Sequence, residues 1–191
     1  MAIDTYSLTS RNGYPVDLLV SALQKFIRRG MARRAVHVAF ELSMTSLELE
    51  NYVWRRLLVI ASEDIGGGCW EANSIVKDLY DSAQILYEPG STADRYIVMA
   101  NAIRFLCQCK KERCSCLMND IIKRQVINGE KIELPDYVYD MHTREGQKRG
   151  RDYNHFLNEA ALVIPHVEGE CEDKELEKEL LALIEAKKNE R

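Results

Sequence analysis

The strongest constraint on the fold is an apolar pattern that returns at helical spacing in one segment after another. The first segment follows Pro15, a residue suited to the first turn of a helix, and Gly30 ends it. Five more segments follow, over residues 31–43, 47–62, 70–86, 93–108 and 113–128. Few segments alternate apolar and polar residues as strands do. The sequence therefore predicts an all-α array of antiparallel helical hairpins.

The rest of the chain is less regular. Residues 130–139 are expected to be extended around Pro135, and helices are predicted over 152–163 and 173–187. The last of these is rich in charge and has a narrow apolar stripe of Leu176, Leu180, Leu183 and Ile184. It is either a surface helix that closes the domain or a helix that binds a partner. We expect three parts: an extended lead-in over 1–14, a helical domain over 15–164 and a charged C-terminal helix over 165–191.

The overall charge and the apolar runs exclude several classes of protein. The formal net charge is −4, so the whole chain is not a general polyanion binder, and any nucleic-acid contact needs a local basic patch. No apolar run reaches the roughly 18–20 residues of a membrane helix, and the first residues contain no apolar signal region. Together with six irregularly spaced cysteines, these features favour a cytoplasmic protein with reduced thiols and no membrane contact.

Three consecutive glycines, Gly66 to Gly68, are the nearest feature to a nucleotide-binding loop. Such a loop has the pattern G-x-x-x-x-G-K-[ST], in which backbone amides and a lysine hold the phosphates. Here Cys69, Trp70 and Glu71 follow the glycines, and no lysine is in place to meet a phosphate. We interpret the glycines as a helix stop and a tight turn. We expect no bound cofactor and no nucleotide hydrolysis by this chain alone.

Four cysteines lie close together in the sequence, and they are Cys107, Cys109, Cys114 and Cys116. Four thiolates could hold a zinc ion. The spacing within each pair is shorter than in usual zinc sites, however, and the four span the junction of two predicted helices. We therefore favour structural cysteines, which pack as small apolar residues, and keep zinc as the alternative.

The histidines form no recognised catalytic or metal-binding pattern. None belongs to an HExxH motif or another helical ligand pair. His37 has apolar neighbours on a predicted helix and is expected to be packed. We therefore predict no catalytic site, no metal site and no enzymatic activity. The alternative is an enzyme of unrecognised type centred on His142, Arg149, Arg151 and His155.

Two stretches of the chain are strongly basic. In the first, Gly30 is surrounded by Arg28, Arg29, Arg33 and Arg34. The second contains Arg144, Lys148, Arg149 and Arg151, together with His142, Tyr153, His155 and Phe156. Interleaved cations and aromatic rings are typical of a nucleic-acid surface, so the second stretch is a candidate DNA or partner contact. The alternative is a solvated face with salt bridges to nearby acids, and Gly146 and Gly150 favour a shaped loop.

An unfavourable pair of charges lies at the end of the third predicted helix. Glu63 and Asp64 come just before the glycines, at the carboxyl pole, where the helix dipole disfavours each negative charge by about a few tenths of a kcal/mol. Two arrangements would compensate for this placement. The acids cap the next helix near residue 69, or they accept hydrogen bonds from Arg28, Arg29, Arg55 or Arg56.

The sequences VDLLVSALQKFIRRG (16–30) and RRLLVIASEDIGG (55–67), with the helix pair over 93–127, resemble a known family. They are similar to the C-terminal helical region of the replication-associated recombination protein A family of AAA+ ATPases (RarA, also called MgsA). The matching positions are Asp17, Leu18, Ser21, Ala22, Leu23, Lys25, Arg28, Arg29, Gly30, Arg55, Arg56, Ala61, Ser62, Glu63, Asp64, Ile65 and Gly66. Residues 134–156 resemble a further region of the family more loosely.

The resemblance implies a fold akin to the clamp-loader collar, which assembles ATPase subunits into a tetramer. It also implies a role in DNA replication and repair, at stalled forks and at junctions of single- and double-stranded DNA. The sequence lacks the ATPase core, and its untagged start, MAIDTYSLTSRNGYP, leads us to expect a stand-alone protein, with an excised domain as the alternative. We expect a non-enzymatic oligomerisation and interaction module that forms a homo-oligomer, with an AAA+ ATPase or DNA as further partners.

Overall fold

Helices form in the order and at the places that the apolar pattern indicates. The computed structural model describes residues 3–91, 93–165 and 175–182. The first six helices are α1 (Val16–Arg28), α2 (Ala32–Ser43), α3 (Leu47–Ile60), α4 (Ala72–Ile85), α5 (Ala93–Gln108) and α6 (Cys114–Ile127). Within the described residues, the β contact found is an isolated bridge between Thr9 and Pro15. The predicted all-α fold is confirmed.

The chain divides into two compact units, residues 1–130 and 131–191. The six helices above belong to the first unit. The second contains a 3-10 turn (Asp136–Val138), α7 (Arg144–Lys148) and α8 (Tyr153–His155), which continues as a π turn (Phe156–Ala160). Residues 175–182 are helical, whereas Leu183 and Ile184 of the predicted stripe lie outside the described residues. The domain limits predicted at residues 14 and 164 stay predictions.

The core of the first unit is built around α5, which α1, α2, α3 and α4 all contact. Side chains that are fully enclosed there include Leu23, Ile27, Leu42, Leu57, Ile60, Val76, Met99, Ile103 and Leu106. Removal of these apolar side chains from water is the main favourable term in the stability of the unit. Among the described residues, no helix has both the length and the apolar content that a bilayer crossing requires.

A buried carboxylate fastens the lead-in before α1 to α2. Glu41 is 8% exposed and accepts hydrogen bonds from the Ser10 hydroxyl at 2.7 Å and the Asn12 side-chain amide at 2.6 Å. Burial alone would raise the pKa of Glu41, but these hydrogen bonds outweigh it and lower that pKa below its ordinary value. Gly13, with a φ of 85°, provides a tight turn before α1. The lead-in thus contains a turn that is held against α2.

The end of α3 differs from the prediction of a helix that runs to residue 62. The α-helix ends at Ile60, and a π turn (Ala61–Ile65) and a 3-10 turn (Gly66–Gly68) follow. Short π turns within helices occur frequently at functional positions. The Glu63–Asp64 pair therefore lies on a widened turn and not on the last turn of an ordinary helix.

Candidate functional site

The three glycines after α3 lie directly against the linker between α5 and α6. A β-carbon on Gly68 would lie 2.4 Å from the carbonyl oxygen of Lys110, and one on Gly66 would lie 2.8 Å from that of Glu112. The N–H of Gly67 donates to the Glu112 carboxylate at 2.8 Å. The predicted helix stop and tight turn are confirmed. The close approach of two backbones is the further reason that glycine is required here.

The glycine turn and the α5–α6 linker meet at a joint, and Asp64 lies there as a fully buried carboxylate. The exposure of its side chain is 0%. It accepts hydrogen bonds from Nε of Arg28 at 2.7 Å and from the side-chain amide of Gln24 at 3.0 Å. Nε of Arg113 lies 3.5 Å from the same carboxylate. A buried charge is destabilising unless it is paired and hydrogen-bonded. These three partners therefore stabilise the buried carboxylate of Asp64.

Glu63 shares the same partners at the edge of the joint. Its carboxylate lies 3.6 Å from Nη2 of Arg28 and 3.3 Å from Nη2 of Arg113, and it accepts a hydrogen bond from Gln24 at 2.9 Å. Two acids and two arginines therefore balance in charge. We call Gln24, Arg28, Glu63, Asp64 and Arg113 the Asp64 cluster. It connects α1, the end of α3 and the start of α6.

The Asp64 cluster confirms one part of the sequence hypothesis and corrects another. Arg28 donates to Asp64, as predicted. Arg29 and Arg55 make other contacts and do not reach the acids, so the prediction for them was wrong. Arg56 contacts the acids only indirectly, because its guanidinium donates to the side-chain oxygen of Gln24 at 2.6 Å.

The capping alternative is also wrong, since α4 begins at Ala72 and has no side-chain cap. Sequence reasoning missed Arg113, which lies immediately before α6. A signal was present: two buried or half-buried acids require two cations, and Arg28 supplies one. Ser62, another residue of the family motif, donates to the carbonyl oxygen of Leu58 at 3.2 Å. It stabilises the end of α3 and not the Asp64 cluster.

Helix α6 presents an apolar face that the rest of the first unit leaves largely exposed. The structure describes the whole helix, and none of its residues is buried. Five large apolar side chains on one side of it are between 49% and 63% exposed, namely Leu117, Met118, Ile121, Ile122 and Val126. We call these five residues the α6 apolar face. At its base, α6 contacts the two turns Ala61–Ile65 and Gly66–Gly68.

A cleft of about 690 Å³ lies beside the base of α6. Leu58 and Val59 of α3 line one side of it, and Ser115, Cys116 and Asn119 of α6 line the other. Leu58 and Val59 are 36% and 40% exposed. Apolar surface is therefore available on α3 as well as on α6, near the Asp64 cluster.

The four neighbouring cysteines have different environments. Cys107 is buried, Cys109 and Cys116 are half-buried, and Cys114 is exposed. Burial raises the pKa of the Cys107 thiol, as expected for a small apolar core residue. Among the described residues, no group of three or more His, Cys, Asp or Glu side chains is placed to hold a metal ion. The zinc alternative therefore has no structural support in this part of the chain.

In the second unit, the arginines of the second basic stretch face acids of the same unit. Arg149 and Arg151 lie 3.2 Å and 2.5 Å from the two carboxylate oxygens of Asp136. The Arg149 guanidinium also lies over the ring of Tyr139, 3.9 Å from its centroid. Nζ of Lys148 is 3.6 Å from Glu145. This arrangement fits the alternative of a solvated face with salt bridges. A contact of this stretch with DNA or with a partner stays a prediction. Its candidate residues are Arg144, Lys148, Arg149, Arg151, Tyr153, His142 and His155.

The histidines of this stretch have partners other than its arginines. His142 bonds to Asp140 at 3.1 Å, and this hydrogen bond holds the pKa of Asp140 below its ordinary value. The His142 ring also packs against Phe156. In the described structure, no hydrogen bond or ion pair joins His142, Arg149, Arg151 and His155 to one another. The prediction that His37 is packed was wrong, because His37 is exposed on α2.

Comparison with known proteins shows which family the chain belongs to. Residues 29–180 match the model of a family described as the MgsA AAA+ ATPase C terminal. This match covers well over half of the chain. The chain belongs to the MgsA C-terminal family. It is also 32% identical over 139 residues to the replication-associated recombination protein A of Bacillus subtilis (strain 168), an alignment that covers 72% of this chain.

The relationship to the C-terminal domain of replication-associated recombination AAA+ ATPases is therefore confirmed. The MgsA C-terminal match includes Glu63, Asp64 and Arg113, whereas Gln24 and Arg28 lie just before its first residue. The aligned region is 32% of the length of the Bacillus relative, so the chain spans about a third of that protein. The matched family is the C-terminal part of an ATPase, and this sequence contains no nucleotide-binding loop.

Proposed function

We propose that this MgsA C-terminal chain is a non-enzymatic helical module for self-association and partner binding in DNA replication or recombination. The observation that supports it is the α6 apolar face, which lies open to solvent along a helix that has no buried residue. Contiguous exposed apolar patches on a folded protein are typical of interaction sites. The Asp64 cluster anchors the base of α6 to the end of α3.

A second copy of this chain is the first partner that we propose. Full burial of a Leu or Ile side chain contributes about 1.5–3 kcal/mol, so covering the α6 apolar face would be strongly favourable. Every copy carries the same face, and a two-fold axis therefore allows two α6 helices to cover each other at once. The collar resemblance favours a tetramer, in which such pairs associate further.

An AAA+ ATPase chain is the second proposed partner. The family is named for AAA+ ATPases, and this sequence has no nucleotide loop of its own. A helical module of this kind would join the ATPase assembly through its collar. The Bacillus relative is named for replication-associated recombination, which supports placing the module in that process.

The test is the solution mass, measured by size-exclusion chromatography with light scattering at low and high salt. We expect a dimer or tetramer that persists in high salt, because an apolar interface is not screened. Ile121→Lys places a charge in the middle of the α6 apolar face and is expected to give a monomer. Asp120→Asn changes the net charge by the same amount on the other side of α6, and it should leave the mass unchanged.

Two results would contradict the proposal. One is an oligomer whose mass is the same in Ile121→Lys as in the unaltered chain, because α6 would then lie outside the interface. The other is a monomer at every concentration that also fails to bind the AAA+ ATPase of the same cell. In both cases circular dichroism must show that the protein tested retains its helical fold.

A further inference from the structure

The turn between α1 and α2 carries a group of cations that neither the core nor the proposed function uses. Lys25 and Arg29 lie at the end of α1, and Arg33 and Arg34 lie in the first turn of α2; all four are exposed. We call them the α1–α2 basic cluster. The sequence between Asp17 and Glu41 contains no acidic residue. The positive charge is therefore not offset by any acid in the stretch between these two residues.

The α1–α2 basic cluster has no carboxylate partner among the described residues. Arg28, the fifth cation of the turn, is paired with Asp64 in the Asp64 cluster. Lys25 bonds to the Ser21 hydroxyl, Arg29 donates to a backbone carbonyl at 3.1 Å, and Arg34 lies over the Phe26 ring. These contacts hold the side chains without neutralising them. The second basic stretch differs, because Arg149 and Arg151 there share Asp136.

The positions of Arg33 and Arg34 are unfavourable for the helix that bears them. The first turn of α2 contains no acid, and its N-cap residue, Met31, makes no side-chain cap. The amino end of a helix is the positive pole, where cations destabilise by about 0.3–1 kcal/mol each. The fold gains no ion pair in return. Such a placement is expected where the charges serve an anion outside the chain.

The turn that carries the cluster is held firmly. Gly30 has a φ of +70°, and a β-carbon there would lie 3.3 Å from the carbonyl oxygen of Cys107. The turn therefore sits against the end of α5, which belongs to the core. Cations on a fixed backbone lose less entropy on binding than cations on a loose loop.

The lack of exposed large apolar side chains at the turn favours a phosphate backbone over an acidic protein. Within the described residues, none of the exposed large apolar side chains lies between Leu18 and Met44. Protein interfaces have an apolar centre inside a polar rim, whereas the apolar side chains at this turn, such as Phe26, are half-buried. Arginine and lysine without neighbouring apolar surface suit nucleic-acid phosphates, and the lack of exposed aromatic rings here predicts little reading of base identity.

We propose that the α1–α2 basic cluster binds the phosphate backbone of a nucleic acid without base specificity. This inference goes beyond the self-association proposed above and does not depend on it. It also assigns nucleic-acid contact to a different place from the second basic stretch, which was the candidate indicated by its interleaved cations and aromatic rings.

The test compares two charge reversals in the full chain, using a short fluorescent DNA duplex and the corresponding single strand. Arg33→Glu with Arg34→Glu is expected to weaken binding at low salt by about tenfold or more, and to reduce the slope of log affinity against log salt by about 2. Arg144→Glu with Lys148→Glu, in the second basic stretch, makes the same charge change and should alter the affinity less than about twofold.

Folding and association can be separated from binding in this experiment. Acids in the first turn of α2 are favourable for the helix, so Arg33→Glu with Arg34→Glu should melt no lower than the unaltered chain. Its solution mass should also be unchanged, which distinguishes this proposal from the one on α6.

Three outcomes would overturn the inference. One is no DNA binding by the unaltered chain at low salt. Another is an equal loss in both double variants, which would indicate general electrostatics. The third is binding of polyglutamate at least as tight as binding of DNA, with both lost in Arg33→Glu/Arg34→Glu, because the cluster would then be a site for an acidic protein.

Discussion

Helices α5 and α6 follow one another in the chain and both carry apolar side chains at helical spacing, yet they have opposite environments. In α5, Met99, Ala102, Ile103 and Leu106 are completely buried. In α6, which is described in full, no residue is buried. The difference shows that an apolar period predicts a helix and one apolar side. It does not predict whether the same chain or another molecule covers that side.

The linker between the two helices explains why they diverge. Nζ of Lys111 donates to the backbone carbonyls of Leu106 at 3.0 Å, Cys107 at 3.1 Å and Cys109 at 2.5 Å, and so satisfies the end of α5. The next residues lie against the triglycine turn and reach Arg113, which pairs with Asp64. The chain is therefore redirected at this joint, and α6 leaves the core.

The largest expected effect tests the comparison directly. Ile103→Ala should destabilise the first unit by about 2–5 kcal/mol, because it opens a cavity in a fully packed core. Ile121→Ala, the matched change on α6, should alter the free energy of unfolding of the monomer by less than about 0.5 kcal/mol. Urea denaturation at low protein concentration measures both. Similar losses in the two variants would mean that α6 is covered within the monomer.

Gly68→Ala is expected to have the next largest effect, since it forces apart the triglycine turn and the linker. The new β-carbon would meet the carbonyl oxygen of Lys110 at 2.4 Å, and we expect a loss of about 1–3 kcal/mol from the resulting shift of the backbone.

Gly67→Ala is the control for this change. Its β-carbon would meet the end of the Glu112 side chain at 3.0 Å, and that side chain can move. A smaller loss of thermal stability is therefore expected for Gly67→Ala. Equal melting temperatures for the two variants would show that the close backbone approach is unimportant.

The smallest expected effect is the coupling between Asp64 and Arg28 across the joint. In a double-mutant cycle of Asp64→Asn and Arg28→Lys, we expect a coupling of about 1 kcal/mol, because the two side chains share a hydrogen bond of 2.7 Å. The same cycle with Arg29→Lys should give additive losses, since Arg29 does not contact the acid. Additivity in both cycles would show that the Asp64 cluster does not act as a unit.

The helices of the first unit could be predicted from the sequence because their signals are local. Spacing, Pro15 and the glycines together placed α1 to α6 within a few residues of their observed limits. The partner of a charge is not local. Arg113 lies 49 residues along the chain from Asp64, and no spacing rule connects them. The one indication was that two acids require two cations and that Arg28 supplies one of them.

The second unit also contains a close contact that the local pattern did not predict. Glycines 146 and 150 argued against a helix, yet Arg144–Lys148 forms one, with Thr143 accepting a hydrogen bond from the N–H of Gly146 at 3.0 Å. Gly146 is required because a β-carbon there would lie 1.8 Å from the carbonyl oxygen of Asp140. The sequence indicated a shaped segment, but it could not distinguish a glycine needed for a turn from one needed for a close contact.

The open position of α6 has a consequence for when this helix forms. Within the first unit, α6 is a helix of 14 residues whose main contacts lie at its base. Its backbone hydrogen bonds therefore depend on local stability, which is marginal at that length. The free chain should therefore exchange the amide hydrogens of α6 quickly, while those of α5 exchange slowly. Association would then order α6 as well as cover it, and the helical signal in circular dichroism would rise with protein concentration.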